Sequence, residues 1–334
     1  MTTPAVPDDY DPPASPADRP SGPMTLRSAE DVIAAIRVVL GFEPEESVVL
    51  LTIGGRYPLQ ARVDLPARCS GGALEEELDQ VAAQLLQAVR RNGARRALLV
   101  AYTERARFGR RCLRGLVRRL TRAGTRVADA MRVDGRRWYP LDHDRADLKV
   151  TGVPYDVDNH PFVVAAVVEG RVVHGSRSDL AASLRTNPRL VLDTEAALPQ
   201  PPASADWVRA EADRCATGVS PSAADAARVL VSVQVPEVRE AVWTAAERQG
   251  APAAVRFWAD LVRRAPDDLV ADAAALLAFH CWLSGDGAQA WCAVDRALEA
   301  DPAQGLAILV GDMLATAFAP HEWESTREIL GFAS

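Results

Sequence analysis

The stretch LRSAEDVIAAIRVVLGFEPEESVVLL, residues 26–51, contains the clearest helix and the clearest strand of the chain. Ser28 and Asp31 form a capping box at the start of an amphipathic helix, and Gly41 is the residue type that ends one. The continuously apolar segment SVVLLTI, residues 47–53, predicts a strand that is covered on both faces. Between the two elements three glutamates surround a proline, which we interpret as a turn rather than a catalytic or metal-binding cluster. These glutamates are Glu43, Glu45 and Glu46.

Strands and helices alternate in the residues that follow. The segment LQARVDL, residues 59–65, alternates like a half-exposed strand, and the pair Asp134-Gly135 predicts a tight hairpin. The remaining periodic segments predict helices at 74–91 and 105–123 and strands at 96–102 and 126–133. This order of elements predicts an α/β domain over residues 24–197, with helices flanking a mixed, largely parallel sheet.

The composition changes at both ends of this domain. Residues 1–23 contain seven prolines and four aspartates, which predicts a disordered acidic tail. Residues 198–204 are proline-rich and predict a linker, and residues 205–334 have the pattern of helices only. In that part FWADLVRRAP (257–266) and CAVDRALEADP (292–302) align with a shift of 36 residues, and each ends in proline. We therefore predict an all-α domain of helical hairpins that is similar to tetratricopeptide repeats.

Length, cysteines and charge limit the class of protein. A chain of 334 residues is long for a single core, so two domains are expected. The five cysteines are scattered and form no CxxC pair, which is typical of reduced thiols in a cytoplasmic protein. No segment has the pattern of a secretory signal or a membrane span, so we expect a cytoplasmic location and no membrane partner. The net charge of −7 hides an asymmetry, because residues 87–137 contain 16 arginines and three acidic residues.

Much of this positive charge lies on one face of the helix predicted at 105–123. At about 100° per residue, apolar side chains fill one half of that helix and arginines fill the other. The arginines are Arg107, Arg110, Arg111, Arg114, Arg118, Arg119 and Arg122. Three interpretations remain open: a solvated face in a chain whose only lysine is Lys149, a surface for an acidic protein or the acidic tail, and a nucleic-acid site. The lack of neighbouring aromatic side chains for base stacking disfavours nucleic acid.

Several segments together resemble a known family. The opening stretch, ARVDLP (61–66), SRSDLAASL (176–184) and LLAFHCWLSGDGAQAWCAVDRALEADP (276–302) are similar to an uncharacterised actinobacterial family, the domain of unknown function 4192. The residues that carry the resemblance are Gly41, Phe42, Pro44, Ser47, Asp64, Ser176, Arg177, Gly285, Asp286 and Gly287. The resemblance implies no reaction, cofactor or catalytic residue. It favours a helix for segment 161–169, whose valines alone favour a strand.

Motifs for chemistry are weak. The segments DHDRAD (142–147) and DVDNH (156–160) have carboxylates in the alternating spacing of a calcium loop, but the turn glycine and the closing glutamate are missing. We therefore predict solvated loops and no metal. The segment HGSRSD (174–179) lacks the spacing of a hydrolase triad, and Ser178 is expected to cap a short helix. No glycine-rich phosphate loop follows a predicted strand, so no cofactor is expected.

The sequence therefore favours a non-catalytic interaction module that uses the helical repeats and the Arg107–Arg122 face. The alternative is an enzyme, a hydrolase or a nucleotide-dependent one, with its site at the carboxyl ends of parallel strands. Its candidate residues are Thr52, Thr103 and Glu104, joined by Asp142 or His143. The second alternative is nucleic-acid binding by the arginines. The acidic tail is expected to fold back onto the arginine face.

Overall fold

The computed structural model describes residues 26–67, 72–142, 147–168 and 171–329. The acidic tail predicted at residues 1–23 and the candidate residue His143 lie outside the described residues. The described part is a mixed α/β protein with one six-stranded sheet and many helices. None of the helices in these ranges combines the length and the apolar character that crossing a membrane requires.

The six strands form a sheet that is mostly antiparallel. They are β1 Ser47–Ile53, β2 Gln60–Asp64, β3 Arg96–Tyr102, β4 Arg126–Val133, β5 Arg137–Pro140 and β6 Val153–Pro154, in the order β2-β1-β3-β4-β5-β6. Among these neighbours β3 and β4 run parallel, and the other pairs run antiparallel. The expectation of a largely parallel sheet is therefore wrong. Strands β1 and β2 form a hairpin, and β3 pairs with the other edge of β1. Strands β2 and β3 therefore point in the same direction but do not pair, because β1 lies between them.

This topology brings the start of β1 and the ends of β2, β3 and β4 to one edge of the sheet. Ser47 at the start of β1 lies opposite Tyr102 at the end of β3, and Tyr102 lies opposite Val133 at the end of β4. The loop that precedes β1 therefore lies beside the carboxyl ends of β3 and β4, which are the parallel neighbours. Loops at such strand ends are common positions for binding sites.

Seven helices lie between residues 29 and 196. They are α1 Ala29–Leu40, α2 Gly72–Asn92, α3 Ala106–Arg122, α4 Leu148–Thr151, α5 Pro161–Val168, α6 Arg177–Ser183 and α7 Pro188–Ala196. The predicted capping box of α1 is present, and Gly41 ends α1 with φ +71°. Helix α5 confirms the helical interpretation of segment 161–168. The cap of α6 is Ser176, which accepts the Asp179 N–H at 3.1 Å, so the expectation for Ser178 is wrong because Ser178 already lies in the first turn.

Every regular element after residue 204 in the described part is helical, as predicted. The helices are α8 Ala205–Ala216, α9 Ala223–Ser232, α10 Pro236–Thr244, α11 Ala251–Arg264, α12 Val270–Ser284, α13 Gly287–Ala300, α14 Gly305–Ala315 and α15 Trp323–Ile329, with a 3-10 turn at Pro320–Glu322. Helix α12 is the central one, because all residues from Ala273 to Leu283 are buried. It contacts α11 and α13, and these neighbours cover the apolar side chains that surround the helix.

The apolar side chains form two cores, one on each face of the sheet. Val48 and Leu50 of β1 pack in the core with α2 and α3, whereas Val49 packs in the core with α1. The second core continues into the C-terminal helices, and it includes Val208 and Leu276. The predicted linker runs along this surface, where the Ala203 N–H donates to Ser232 Oγ at 2.7 Å. The division into two domains at residues 198–204 stays a prediction.

Candidate functional site

Helix α3 carries the first candidate surface. Its buried side is formed by Cys112, Leu113, Leu116 and Leu120, so the predicted apolar half of the helix is confirmed. Burial raises the pKa of the Cys112 thiol to about 11, which keeps it protonated and unreactive at neutral pH. The opposite half faces outward and carries the seven arginines.

Three of these arginines have partners inside the molecule. Arg119 is the most committed, since its guanidinium binds Asp79 at 2.6 Å and Glu75 at 3.0 Å on α2. Arg110 donates to the Lys149 carbonyl at 2.8 Å. Arg111 lies 3.6 Å from Glu75. The arginine half is therefore partly a structural bridge between α2 and α3.

The other arginines of α3 carry positive charge that is not compensated. A groove of about 520 Å³ runs beside α3, and we call it the arginine groove. It is lined by Arg107, Arg110, Arg111, Arg114, Val117, Arg118, Leu141 and Asp142. Among the described residues, Arg107, Arg114 and Arg118 form no hydrogen bond or ion pair, and Asp142 is the one carboxylate that lines the groove. A surface of this charge attracts anionic groups.

The second candidate surface lies at the strand ends. A cleft of about 860 Å³ opens where β3 and β4 end and β1 begins, and we call it the carboxylate cleft. It is lined on one side by the loop before β1 and on others by the residues that follow β2, β3 and β4. Its charged side chains are Glu43, Glu45, Glu46, Asp64, Glu104, Asp134 and Arg105. The three glutamates that we interpreted as a turn lie in the irregular loop between α1 and β1, and they also line this cleft.

Glu46 fixes the loop to the end of β3. Its carboxylate accepts a hydrogen bond from the Thr103 hydroxyl at 2.6 Å and pairs with the Arg105 guanidinium. Its carbonyl accepts the Leu65 N–H at 2.8 Å. Glu46 has φ +40°, a left-handed conformation that costs a non-glycine residue about 1 kcal/mol or more. These contacts hold the residue in that conformation.

The lining of the cleft contains a buried polar group without a partner. Tyr102 is 3% exposed, and its hydroxyl has no hydrogen-bond partner among the described residues. The buried hydroxyls of Tyr155 and Ser47 also lack partners there, but these two residues do not line the cleft. A buried hydroxyl without a partner costs about 1–3 kcal/mol, so the Tyr102 hydroxyl is a position that a ligand in the cleft could satisfy.

The carboxyl of Glu43 also lines the cleft. Burial raises its pKa, and Arg37 opposes that shift. Burial and the Glu43 charge together raise the pKa of the Tyr155 hydroxyl, although the two side chains do not form a well-aligned hydrogen bond. Burial also raises the pKa of Tyr102. Both tyrosines therefore remain protonated at neutral pH and can donate or accept a hydrogen bond.

The structure separates the residues predicted for an enzyme. Thr103 and Glu104 line the carboxylate cleft. Thr52 lies opposite Ala97, five residues from the Ser47–Tyr102 pair and therefore about 17 Å along the strands. Asp142 lines the arginine groove. The grouping fails because β1 runs antiparallel to β3, so the carboxyl ends of these strands are at opposite edges.

One of the two loops with alternating carboxylates, DVDNH (156–160), has structural partners, whereas residues 143–146 of the other, DHDRAD (142–147), lie outside the described residues. Asp158 binds Arg37 of α1 at 2.6 Å, and His160 Nε2 donates to Asp31 at 3.1 Å while its Nδ1 accepts the Phe162 N–H. The DVDNH segment thus fixes α5 against α1. Within the described ranges no group of three His, Cys, Asp or Glu side chains is arranged to hold a metal ion.

The residues that carry the family resemblance lie at contacts between segments. The Gly41 carbonyl accepts the His174 N–H at 2.7 Å, and Phe42 forms a β-bridge with the same residue. Arg177 binds Asp295 of α13 at 2.8 Å. Gly285 ends α12 with φ +87°, and the Asp286 side chain caps α13. Pro44 and Asp64 line the carboxylate cleft.

Sequence reasoning did not find Tyr102 or Asp134 as cleft residues, nor the effect of Tyr155 on Tyr102. Tyr102 ends a strand whose other side chains are apolar, and a polar hydroxyl at a strand end was the available signal. Asp134 was interpreted only as the first residue of the hairpin. Tyr155 lies 53 residues after Tyr102, and no local pattern connects them.

Comparison with known proteins identifies a family and nothing further. No curated protein and no solved structure matches the chain. The model of a domain of unknown function, DUF4192, matches residues 30–321, which is most of the chain. The segments that suggested this resemblance all lie within or overlap the matched range. The chain therefore belongs to the domain of unknown function 4192 family.

Proposed function

We propose that this protein is a non-catalytic interaction module of the cytoplasm that binds an acidic protein segment in the arginine groove. The observation that supports the proposal is the set of three outward arginines, Arg107, Arg114 and Arg118, that lack partners among the described residues. Their neighbours Arg110 and Arg119 are held by α4 and α2, so the groove is positioned by internal contacts.

The proposal includes the C-terminal helices as a second contact surface, of the tetratricopeptide-like kind expected from the sequence. Helices α12 and α13 form a hairpin through Gly285 and Asp286, and α14 packs on both. Ile308 and Leu309 on α14 are 45% and 42% exposed, which provides apolar area for a partner.

Catalysis by Thr103 has less support. Its hydroxyl donates to Glu46 and accepts the Arg105 N–H at 3.2 Å, so it is already part of the loop anchor. A hydroxyl engaged in this way is a poor nucleophile without a base beside it.

Titration of a fluorescent peptide of residues 1–23 against a chain that lacks those residues tests the arginine groove. We expect saturable binding that weakens as salt rises, because the contacts are ionic. Arg114→Glu with Arg118→Glu should reduce affinity by about tenfold or more. Arg185→Glu with Arg189→Glu is the matched control, since these two exposed arginines have the same spacing elsewhere.

Two outcomes would contradict the proposal. Equal losses in both double variants would mean that net charge alone attracts the peptide. Tighter binding of a short DNA duplex than of the peptide, with a steep salt dependence, would favour the nucleic-acid alternative instead.

A further inference from the structure

The carboxylate cleft has more negative charge than its own cations neutralise. Three carboxylates have guanidinium partners: Glu46 pairs with Arg105, Asp64 with Arg62 at 2.7 Å, and Asp134 with Arg132 at 3.4 Å. The other three, Glu43, Glu45 and Glu104, form no ion pair with any residue that the structure describes. The cleft therefore presents about three uncompensated charges to a ligand.

The buried hydroxyl of Tyr102 is an independent observation at the same place. Tyr102 lines the cleft, is 3% exposed and has no hydrogen-bond partner in the described part of the chain. Glu43 lines the same cleft and forms no ion pair with any described residue. Together the two residues offer one anionic acceptor and one aromatic ring with an unsatisfied hydroxyl.

This combination suits an ammonium group. An ammonium has three N–H donors and no acceptor, so it needs several oxygens around it. Carboxylate and phenol oxygens provide these, and aromatic rings attract the cation further. A neutral or anionic ligand would leave the three free carboxylates without compensation.

The spacing of the charges indicates the length of the ligand. The free carboxylates lie on two segments, with Glu43 and Glu45 in the loop before β1 and Glu104 after β3. Charges that are spread along a cleft fit a linear molecule with several separated ammonium groups better than a single compact ion. The volume of about 860 Å³ is within the range of small-molecule sites.

We propose that the carboxylate cleft is a binding site for a linear aliphatic polyamine, with one ammonium group between Glu43 and the Tyr102 hydroxyl and another at Glu104. This site does not depend on the arginine groove, which binds groups of the opposite charge. The two proposals can therefore fail separately.

Isothermal titration of the full chain with spermidine at low salt tests the site. We expect saturable one-to-one binding, and none for 1,8-octanediol, which has a chain of the same length and no charge. Glu43→Gln with Glu104→Gln should weaken binding by about tenfold. Glu195→Gln with Glu299→Gln removes two exposed charges elsewhere and should leave affinity within about twofold.

Tyr102→Phe separates a binding role from a structural one. If the hydroxyl binds the ligand, the variant should lose affinity by about fivefold and keep its unfolding temperature, since no internal hydrogen bond is removed. Unchanged affinity in this variant would overturn the assigned position of the ammonium group. Equal losses in the two glutamate double variants, or binding of Mg²⁺ or Ca²⁺ with no binding of spermidine, would overturn the site itself.

Discussion

The side chain of Asp286 caps α13 by accepting the Gln289 N–H at 2.9 Å, and it lies in the turn between α12 and α13. Burial raises its pKa from 3.8 to about 6, although the Arg171 charge and backbone donors oppose the shift. In the unfolded chain the Asp286 carboxyl loses its proton at a lower pH than it does in the folded protein. Ionisation of Asp286 therefore reduces stability as the pH rises through about 6.

Asp286→Asn should stabilise the protein at neutral pH. Asparagine is as good a cap as aspartate and has no charge to desolvate, so the free energy of unfolding should rise by about 1–2 kcal/mol at pH 7.5. The gain should disappear near pH 3, below both pKa values, where the aspartate is neutral in both states. Urea denaturation at the two pH values measures this difference. Asp286→Ala is the control, because it removes the charge and the cap together and should show a smaller gain or a loss.

His280 has the opposite pH dependence. Burial lowers its pKa to about 4, and its Nδ1 lies 2.7 Å from the Leu276 carbonyl. Since the unfolded imidazole takes up a proton near 6.5, the stabilisation present above that pH is lost as the pH falls towards 4. His280→Leu should therefore flatten the loss of stability between pH 6.5 and pH 4, whatever its effect at pH 7.5. An unchanged slope would show that other groups cause the acid sensitivity.

At the residue scale the sequence predicts the roles that depend on adjacent residues. It does not predict which distant residues become neighbours in the fold. Ser28, Asp31 and Gly41 have the roles that their types suggest, because caps and helix ends depend on a few adjacent residues. The role of Glu46 depends on Thr103, which is 57 residues later. Ser178 shows the limit even for caps, since the helix begins two residues earlier than predicted and Ser176 caps it.

Helix α3 lies close to the sheet at Gly109, and it lies close to helix α2 at Gly115. A Cβ atom at Gly109 would lie 2.6 Å from the Thr103 methyl group and 3.0 Å from Arg132 Cδ. At Gly115 the nearest atom would be Leu78 Cδ1 at 2.9 Å, the end of a flexible side chain. The two glycines therefore differ in how easily their neighbours can move.

Alanine substitutions should separate these two sites. Gly109→Ala should lower the free energy of unfolding by about 1–3 kcal/mol, because both neighbours are buried and held. Gly115→Ala should be nearly neutral, since the gain in helix propensity of about 1 kcal/mol offsets the shift of Leu78. Chemical denaturation of both variants measures the difference. Similar losses at the two positions would contradict this account of the packing of α3.

At the element scale, periodicity predicts each helix and strand better than it predicts their arrangement. The seven residues of β1 have the predicted bounds, since a continuous apolar run needs cover on both faces. The pairing of β1 with β3 could not be predicted, because parallel and antiparallel neighbours bury the same apolar side chains. The carboxylate cleft depends on that pairing, so it could not be predicted either.

In the whole molecule three of the four segments that carry the family resemblance meet around α13. His174 binds the loop after α1, and Arg177 binds Asp295, so the segment 174–177 connects the opening stretch to the C-terminal helices. One core contains buried residues from both sides of the predicted linker, among them Val49 and Leu277. This continuity predicts that the two parts stabilise each other.

Equilibrium unfolding tests whether the parts are coupled. We expect one transition for the full chain, because separating the parts would expose the shared apolar core to water. Leu99→Ala in the sheet and Leu277→Ala in α12 each remove a fully buried side chain and should cost about 2–5 kcal/mol. In a coupled molecule both variants shift the same single transition, whether it is followed by helical circular dichroism or by tryptophan fluorescence. Two transitions, of which each variant shifts only one, would show that residues 24–197 and 205–334 are independent domains and that the shared core contributes little to their stability.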